Sequence, residues 1–168
     1  DSLSGIERQD DVLLVMAGTR LSALAAFAAR QELTGLEFAS GIPGTLGGAI
    51  QMNAGAYDGC MQDVVRQTDF VDEDLAFRQI SGEEHQFAYR HSVFSDRGAV
   101  ILRARLELKP GSYGAITAKM NDLAERRRQS QPLPVVAEDL WRACRSRLPG
   151  DVRLTEVTQL DEELVRIE

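Results

Sequence analysis

Two rhythms of apolar positions run along this chain of 168 residues. The short apolar run Val12-Leu13-Leu14-Val15-Met16 ends at Ala17-Gly18, which suits a buried strand followed by a turn. Leu21, Leu24, Ala25, Ala28 and Ala29 then recur at helical spacing. Thr19 and Ser22 are the candidate caps for the start of that helix. Residues 64–72 and 77–80 read as strands around the acidic turn Asp72-Glu73-Asp74. Residues 99–108 begin as an apolar run and continue in alternation, the mark of a strand with one covered face, and Lys109-Pro110-Gly111 ends it. Ile116, Met120, Leu123 and Ala124 mark an amphipathic helix that closes near Gln131-Pro132. Beyond Pro134, short helices at 136–141 and 161–165 and a strand at 152–157 are expected. The whole reads as α+β, a mixed or antiparallel sheet with flanking helices, centred on the strands near 64–72 and 99–108.

Residues 35–59 break both rhythms. They hold Gly35, Gly41, Gly44, Gly47, Gly48, Gly55 and Gly59, interleaved with Leu36, Phe38, Ile42, Leu46, Ile50 and Met52. A flexible linker lacks such apolar content, so this is ordered backbone that turns sharply or approaches something closely. Pro43 fixes its φ near a helical value and can start a helix. Gly47 and Gly48 clear side chains from one turn, where free helix-start amides would suit an electron-rich ligand. Asn53 adds an amide that both donates and accepts, and Gly55 permits a second close approach. Read alone, the run fits either a ligand loop or a cluster of structural turns. It is neither Gly-x-Gly-x-x-Gly nor a phosphate loop ending in Lys-Ser/Thr.

Composition narrows the function classes. The net charge is -7, and such an acidic surface repels nucleic acid. Arg126-Arg127-Arg128 reads as the solvated end of a helix. Cys60 and Cys144 form no disulfide framework or metal spacing and are expected to be reduced thiols of a cytoplasmic protein. With only His85 and His91 besides, no metal is expected. No apolar run approaches the ~20 residues of a membrane span. Asp1-Ser2-Leu3-Ser4-Gly5 carries no signal-peptide pattern and no Met, so the chain is expected to begin inside a longer one.

Leu36-Glu37-Phe38-Ala39-Ser40, followed by the run from Gly41 to Tyr57, resembles the flavin-binding stretch of the UDP-N-acetylenolpyruvoylglucosamine reductases. Phe87-Ala88-Tyr89-Arg90-His91-Ser92-Val93-Phe94 resembles their Tyr-Arg-x-Ser motif, and Arg126 to Leu133 resembles their Arg-rich helix end with Gln-Pro-Leu. The likeness runs from about Val12 to Leu133. It implies an FAD-binding domain of the PCMH, or vanillyl-alcohol-oxidase-like, type over 1–133 that lacks its N-terminal part, with a divergent tail over 134–168. It implies FAD as cofactor and NADPH as reductant for converting UDP-N-acetylglucosamine enolpyruvate to UDP-N-acetylmuramate in peptidoglycan synthesis. The implied FAD contacts are Gly41, Ile42, Pro43, Gly44, Thr45, Gly47, Gly48, Asn53, Ala54 and Gly55. Arg90 matches the family's catalytic arginine and, with Tyr89, faces substrate; a plain surface ion pair is the alternative for Arg90. His91, at the motif's variable position, is read as solvated or packed rather than as an acid. A monomer without nucleic-acid or membrane partners is expected.

The sequence departs from the family in two places. The earlier glycine-rich segment that wraps the FAD pyrophosphate would precede Val12 and is not in residues 1–11. After Leu133 the family's Gly-Ser-x-Phe segment, which holds the proton donor, is replaced by Pro134-Val135-Val136-Ala137. Ser146, between Arg145 and Arg147, lacks the glycine and phenylalanine, and Glu162 and Glu163 read as a solvated face. The tail is either a divergent ending or a shifted reading frame. The chain alone is therefore expected to be weak or inactive as a reductase. The alternative is a non-catalytic flavin- or nucleotide-binding module. A broader flavin oxidase of the vanillyl-alcohol-oxidase-like group is disfavoured by Tyr-Arg-x-Ser.

Overall fold

The computed structural model describes residues 3–57 and 59–130. The chain divides into two compact units, Asp1–Arg127 and Arg128–Glu168, and the account below concerns the first. The elements expected at 136–141, 152–157 and 161–165 lie outside the described residues.

The chain opens with a hairpin, β1 (Ile6–Gln9) and β2 (Val12–Met16), whose two-residue loop puts Asp10 at φ 54°. Two-residue hairpin loops need positive φ, which Asp tolerates better than most residues. Helix α1 (Leu21–Arg30) follows, then β3 (Leu33–Thr34), a 3-10 turn over Glu37–Gly41, and helix α2 (Leu46–Gln51). A small hairpin of β4 (Gly55–Ala56) and β5 (Gly59–Cys60) leads through α3 (Met61–Val64) into β6 (Val65–Val71) and β7 (Phe77–Ser81). The remaining elements are β8 (Val100–Glu107), β9 (Lys109–Pro110) and helix α4 (Tyr113–Ser130).

The main sheet has the order β1-β2-β8-β6-β7, and every neighbouring pair is antiparallel. It is therefore an antiparallel sheet with helices, an α+β arrangement. One face is dry. Leu13 and Val15 of β2, Ala104 and Leu106 of β8, and Val65 and Phe70 of β6 are buried in one apolar cluster. Leu21, Leu24, Ala25 and Ala28 of α1, and Leu46, Ala49 and Ile50 of α2, join the same cluster. Each fully buried leucine there contributes about 1.5–3 kcal/mol relative to exposure. The ion pairs Arg103–Asp69 and Arg66–Glu107 bridge neighbouring strands of the sheet at 2.7 and 2.6 Å between half-exposed arginines and their partners, geometry that adds little stability. Register shifts between Val65 and Gln67 and between Asp69 and Phe70 mark bulges in β6. They let Val65, Thr68 and Phe70 all point inward although they do not alternate.

Several local expectations need correction. Neither Thr19 nor Ser22 caps α1; its N-cap is Arg20, without a side-chain bond. Thr19 instead is buried, exchanging bonds with Gly5, from whose N–H it accepts at 3.1 Å and to whose carbonyl it donates at 3.2 Å. Pro43 does not start a helix, because Thr45 is the N-cap of α2. The acidic turn forms as expected: Asp72 accepts from the backbone of Asp74 and Ala76 at 3.0 and 2.9 Å.

Candidate functional site

The glycine-rich segment runs beside the loop that enters α1. The amide of Leu21 donates to the Gly44 carbonyl, that of Leu46 to Thr19 and that of Gly47 to Ala17, at 3.0, 2.9 and 2.8 Å. The reading of free amides at the start of α2 is thus corrected at Leu46 and Gly47, whose N–H groups are already committed to backbone carbonyls. The glycines also separate by cause. Gly44 has φ 121°, which only glycine adopts without strain. A Cβ on Gly47 would lie 3.1 Å from the Ala17 methyl, and one on Gly55 would lie 2.7 Å from the Gly59 carbonyl. A Cβ on Gly41 would press on the Arg127 guanidinium at 3.1 Å. Gly48 is different: a Cβ there would meet nothing within 4 Å. The fold supplies no packing reason for glycine at 48, and glycine inside a helix costs roughly 0.5–1 kcal/mol relative to alanine.

Two residues past helix α2 stands Asn53, which takes the left-handed φ of 41°. The amide of Ala54 donates to Ala49 at 2.8 Å and that of Asn53 to Ile50 at 3.2 Å, the paired bonds of a Schellman ending. Asn53 thereby closes the helix with its backbone, while its side chain reaches elsewhere. Its Oδ1 accepts from the Gln62 amide and its Nδ2 donates to the Ala88 carbonyl, both at 3.0 Å. The last-turn carbonyl of Gln51 is satisfied by two hydroxyls, Ser92 at 2.8 Å and Ser95 at 2.9 Å.

Those partners lie around the Tyr-Arg-x-Ser motif. Ala88 and His91 exchange backbone bonds at 3.0 and 3.2 Å, so Tyr89 and Arg90 form the two-residue tip of a tight turn. Tyr89 is 93% exposed. Arg90 is exposed and has φ 53°, which costs a non-glycine residue about 1–2 kcal/mol. No carboxylate among the described residues pairs with its guanidinium, so the surface ion-pair alternative finds no partner there. Ser92 is fully buried and caps the 3-10 turn Val93–Asp96, accepting from the Phe94 amide at 3.3 Å. His91 lies 3.6 Å from Asp96.

The structure therefore joins the end of the glycine-rich run to the arginine motif: Asn53 and Ala88, 35 residues apart in the chain, are directly bonded in space. Sequence reasoning missed Ser92 and Ser95 as anchors. The spacing Ser-x-x-Ser around Val93-Phe94, which suits a capped turn, was the available signal. A cavity of about 490 Å³ lies elsewhere, lined by Thr34, Glu37, Phe38, Tyr57 and Lys119 among others, and includes none of the candidate contacts. Its buried carboxylate, Glu37, already accepts from Thr34 and from the Gly35 amide. Burial and the neighbouring Asp63 raise the Cys60 thiol above its ordinary value, so it stays protonated near neutrality. Among the described residues no three His, Cys, Asp or Glu side chains assemble as a metal set, and no helix is long and apolar enough to cross a membrane.

Residues 1–75 match the family described as FAD binding domain. The UDP-N-acetylenolpyruvoylglucosamine reductase of Clostridioides difficile strain 630 is 45% identical over 133 residues, covering 79% of this chain and 44% of that protein. The enzyme of the same name from Heliobacterium modesticaldum is 46% identical over 127 residues, covering 75% of this chain and 40% of that one. Among solved structures, the UDP-N-acetylenolpyruvylglucosamine reductase of Thermus caldophilus superposes with a TM-score of 0.65 at 38% identity, over 71% of this chain and 44% of that one. The chain thus spans less than half the length of these relatives. Along that span it carries the PCMH-type FAD-binding fold, and the curated relatives it resembles at 45–46% identity bear the name UDP-N-acetylenolpyruvoylglucosamine reductase.

Proposed function

We propose that the chain binds FAD along the segment from Gly41 to Gly55 and serves the NADPH-dependent reduction of UDP-N-acetylglucosamine enolpyruvate to UDP-N-acetylmuramate. The observation that carries the cofactor reading is Gly48. It is an open glycine on a short helix, at a helical cost that packing does not explain. Gly44, also open to a Cβ, lies at the entry to the same helix, so the residues present leave room for a flat ring system or its chain. Gly41, Ile42, Pro43, Thr45, Gly47, Asn53, Ala54 and Gly55 are the remaining proposed contacts. A flavin held by these residues would supply hydride transfer from NADPH to the enolpyruvyl double bond.

The chain's own part is binding and charge. Hydride addition leaves negative charge next to the substrate carboxylate. The exposed guanidinium of Arg90, without a carboxylate partner among the described residues, can hold such oxygens through two parallel N–H donors, and Tyr89 beside it offers a face to the sugar. Protonation is the weak point. The Ser92 hydroxyl is buried and donates to Gln51, so it is not free to act as the acid. We place the FAD-binding part at 1–133 and the divergent tail at 134–168, where the family's donor segment has no match. Loss of a general acid typically costs about 10²–10⁴-fold.

The test supplies FAD, NADPH and the enolpyruvyl sugar to the purified chain and follows NADPH consumption. Slow turnover that Arg90→Ala abolishes is the expected result. A rate of about 1 s⁻¹ or more would show that a working acid is present. A rate unchanged by Arg90→Ala would remove the arginine from the mechanism.

A further inference from the structure

We propose that the Asn53 side chain is a positioning residue for Arg90, holding the base of the arginine's turn against the helix that carries the glycine-rich segment. The inference rests on the reading of Arg90 given above. It starts from the Ala88 carbonyl, which accepts twice. Inside the turn it accepts from the His91 amide at 3.2 Å, and from outside it accepts from Asn53 Nδ2 at 3.0 Å. A carbonyl with both lone pairs engaged fixes the peptide that begins the Tyr89–Arg90 tip.

Asn53 is suited to this task by three features found together. Its left-handed backbone closes α2, a conformation that asparagine tolerates. Its Oδ1 is locked by the Gln62 amide at 3.0 Å, which orients the carboxamide so that Nδ2 faces Ala88. The residue is 9% exposed, so water competes poorly for either bond. A second strut stands on the far side of the tip, where the buried Ser92 donates to Gln51 at 2.8 Å. Both struts meet the C-terminal end of the same short helix, one at Gln51 and the other at Asn53 just beyond it. Arg90 itself has an unfavourable backbone conformation and no side-chain partner among the described residues, so its orientation must come from this frame.

Two substitutions separate the role from mere folding. Asn53→Gly keeps a residue suited to the left-handed helix end and deletes both side-chain bonds. Asn53→Asp keeps the bond from Gln62 and deletes only the donor to Ala88. In either variant the His91 amide should exchange with solvent about ten-fold faster or more, while amides of the β8 strand keep their protection. In the FAD-loaded protein, Asn53→Asp should weaken binding of UDP-N-acetylglucosamine enolpyruvate, and combining it with Arg90→Ala should weaken it no further than Arg90→Ala alone. Unchanged exchange at His91 would overturn the proposal. Faster exchange with additive losses in the double variant would also overturn it, by making the tether structural only. If the wild type binds no sugar, the functional reading fails, and the exchange rates still decide whether Asn53 holds the turn.

Discussion

Glycine at seven positions between 35 and 59 is one letter with several causes, and each cause makes its own demand on the chain. Gly55 is fixed by the β4–β5 hairpin, where a Cβ would stand 2.7 Å from the Gly59 carbonyl and 2.8 Å from the Cys60 Cβ. Gly55→Ala should therefore destabilise the fold by about 1–3 kcal/mol, the usual range for overpacking against atoms that cannot yield. Urea unfolding checks this, and an unchanged midpoint would show that the hairpin opens at no cost. The sequence marked this residue as a close approach but could not say to what. The answer is the partner strand of its own hairpin. Asn53 gives the opposite lesson. Its amide stands out in the sequence as a group that can both donate and accept, and in the structure both capacities are engaged, by Ala88 and Gln62. No local pattern announces a bond to a carbonyl 35 residues away.

Among the elements, β2, β8, α1 and α4 are legible from their apolar residues, and β6 and β7 from the acidic turn Asp72-Glu73-Asp74 between them. The hairpin strand β1 is not, since Ile6-Glu7-Arg8-Gln9 has one apolar residue and lies at the sheet edge. The two-residue strands β3 and β9 are too short for any periodicity. His85 shows how a turn is fastened to a strand. It is fully buried at the end of the 3-10 turn Gly82–His85, with Nε2 2.9 Å from the Thr68 hydroxyl of β6 and Nδ1 2.9 Å from the Gly82 carbonyl. Its ring stacks on Phe87 at 4.9 Å between centroids. The carbonyl can only accept, so Nδ1 carries the proton and Nε2 accepts from Thr68 in a neutral ring. Burial lowers the His85 pKa, against the opposing pull of the Gly82 carbonyl and Glu84. Below the unfolded value of about 6.5 the native state binds fewer protons than the unfolded chain, so folding stability should fall as the pH drops from there toward the depressed native value. The loss approaches about 1.4 kcal/mol per pH unit. Unfolding midpoints at pH 7 and pH 5 should differ more in the wild type than in His85→Gln. Equal differences would mean that His85 is not the group responsible.

For the unit as a whole, an antiparallel sheet with one covered face packs α1 and α2 into one core, and the loops at their starts pair with each other. That core fixes the glycine-rich segment, and the segment's last turn fixes the arginine motif. The family likeness was readable from three motifs in order, and relatives 45% identical over 79% of the chain agree with it. The central claim is that the open side of Gly48 belongs to FAD. Titrating the chain with FAD by flavin fluorescence, for wild type and Gly48→Val in parallel, tests it most directly. The added side chain begins in open space and replaces a poor helix former, so the melting temperature of the cofactor-free variant should not fall. The account predicts saturable binding by the wild type and an affinity lower by about ten-fold or more in Gly48→Val. No saturable binding by the wild type, or equal affinity in the two proteins, would contradict it.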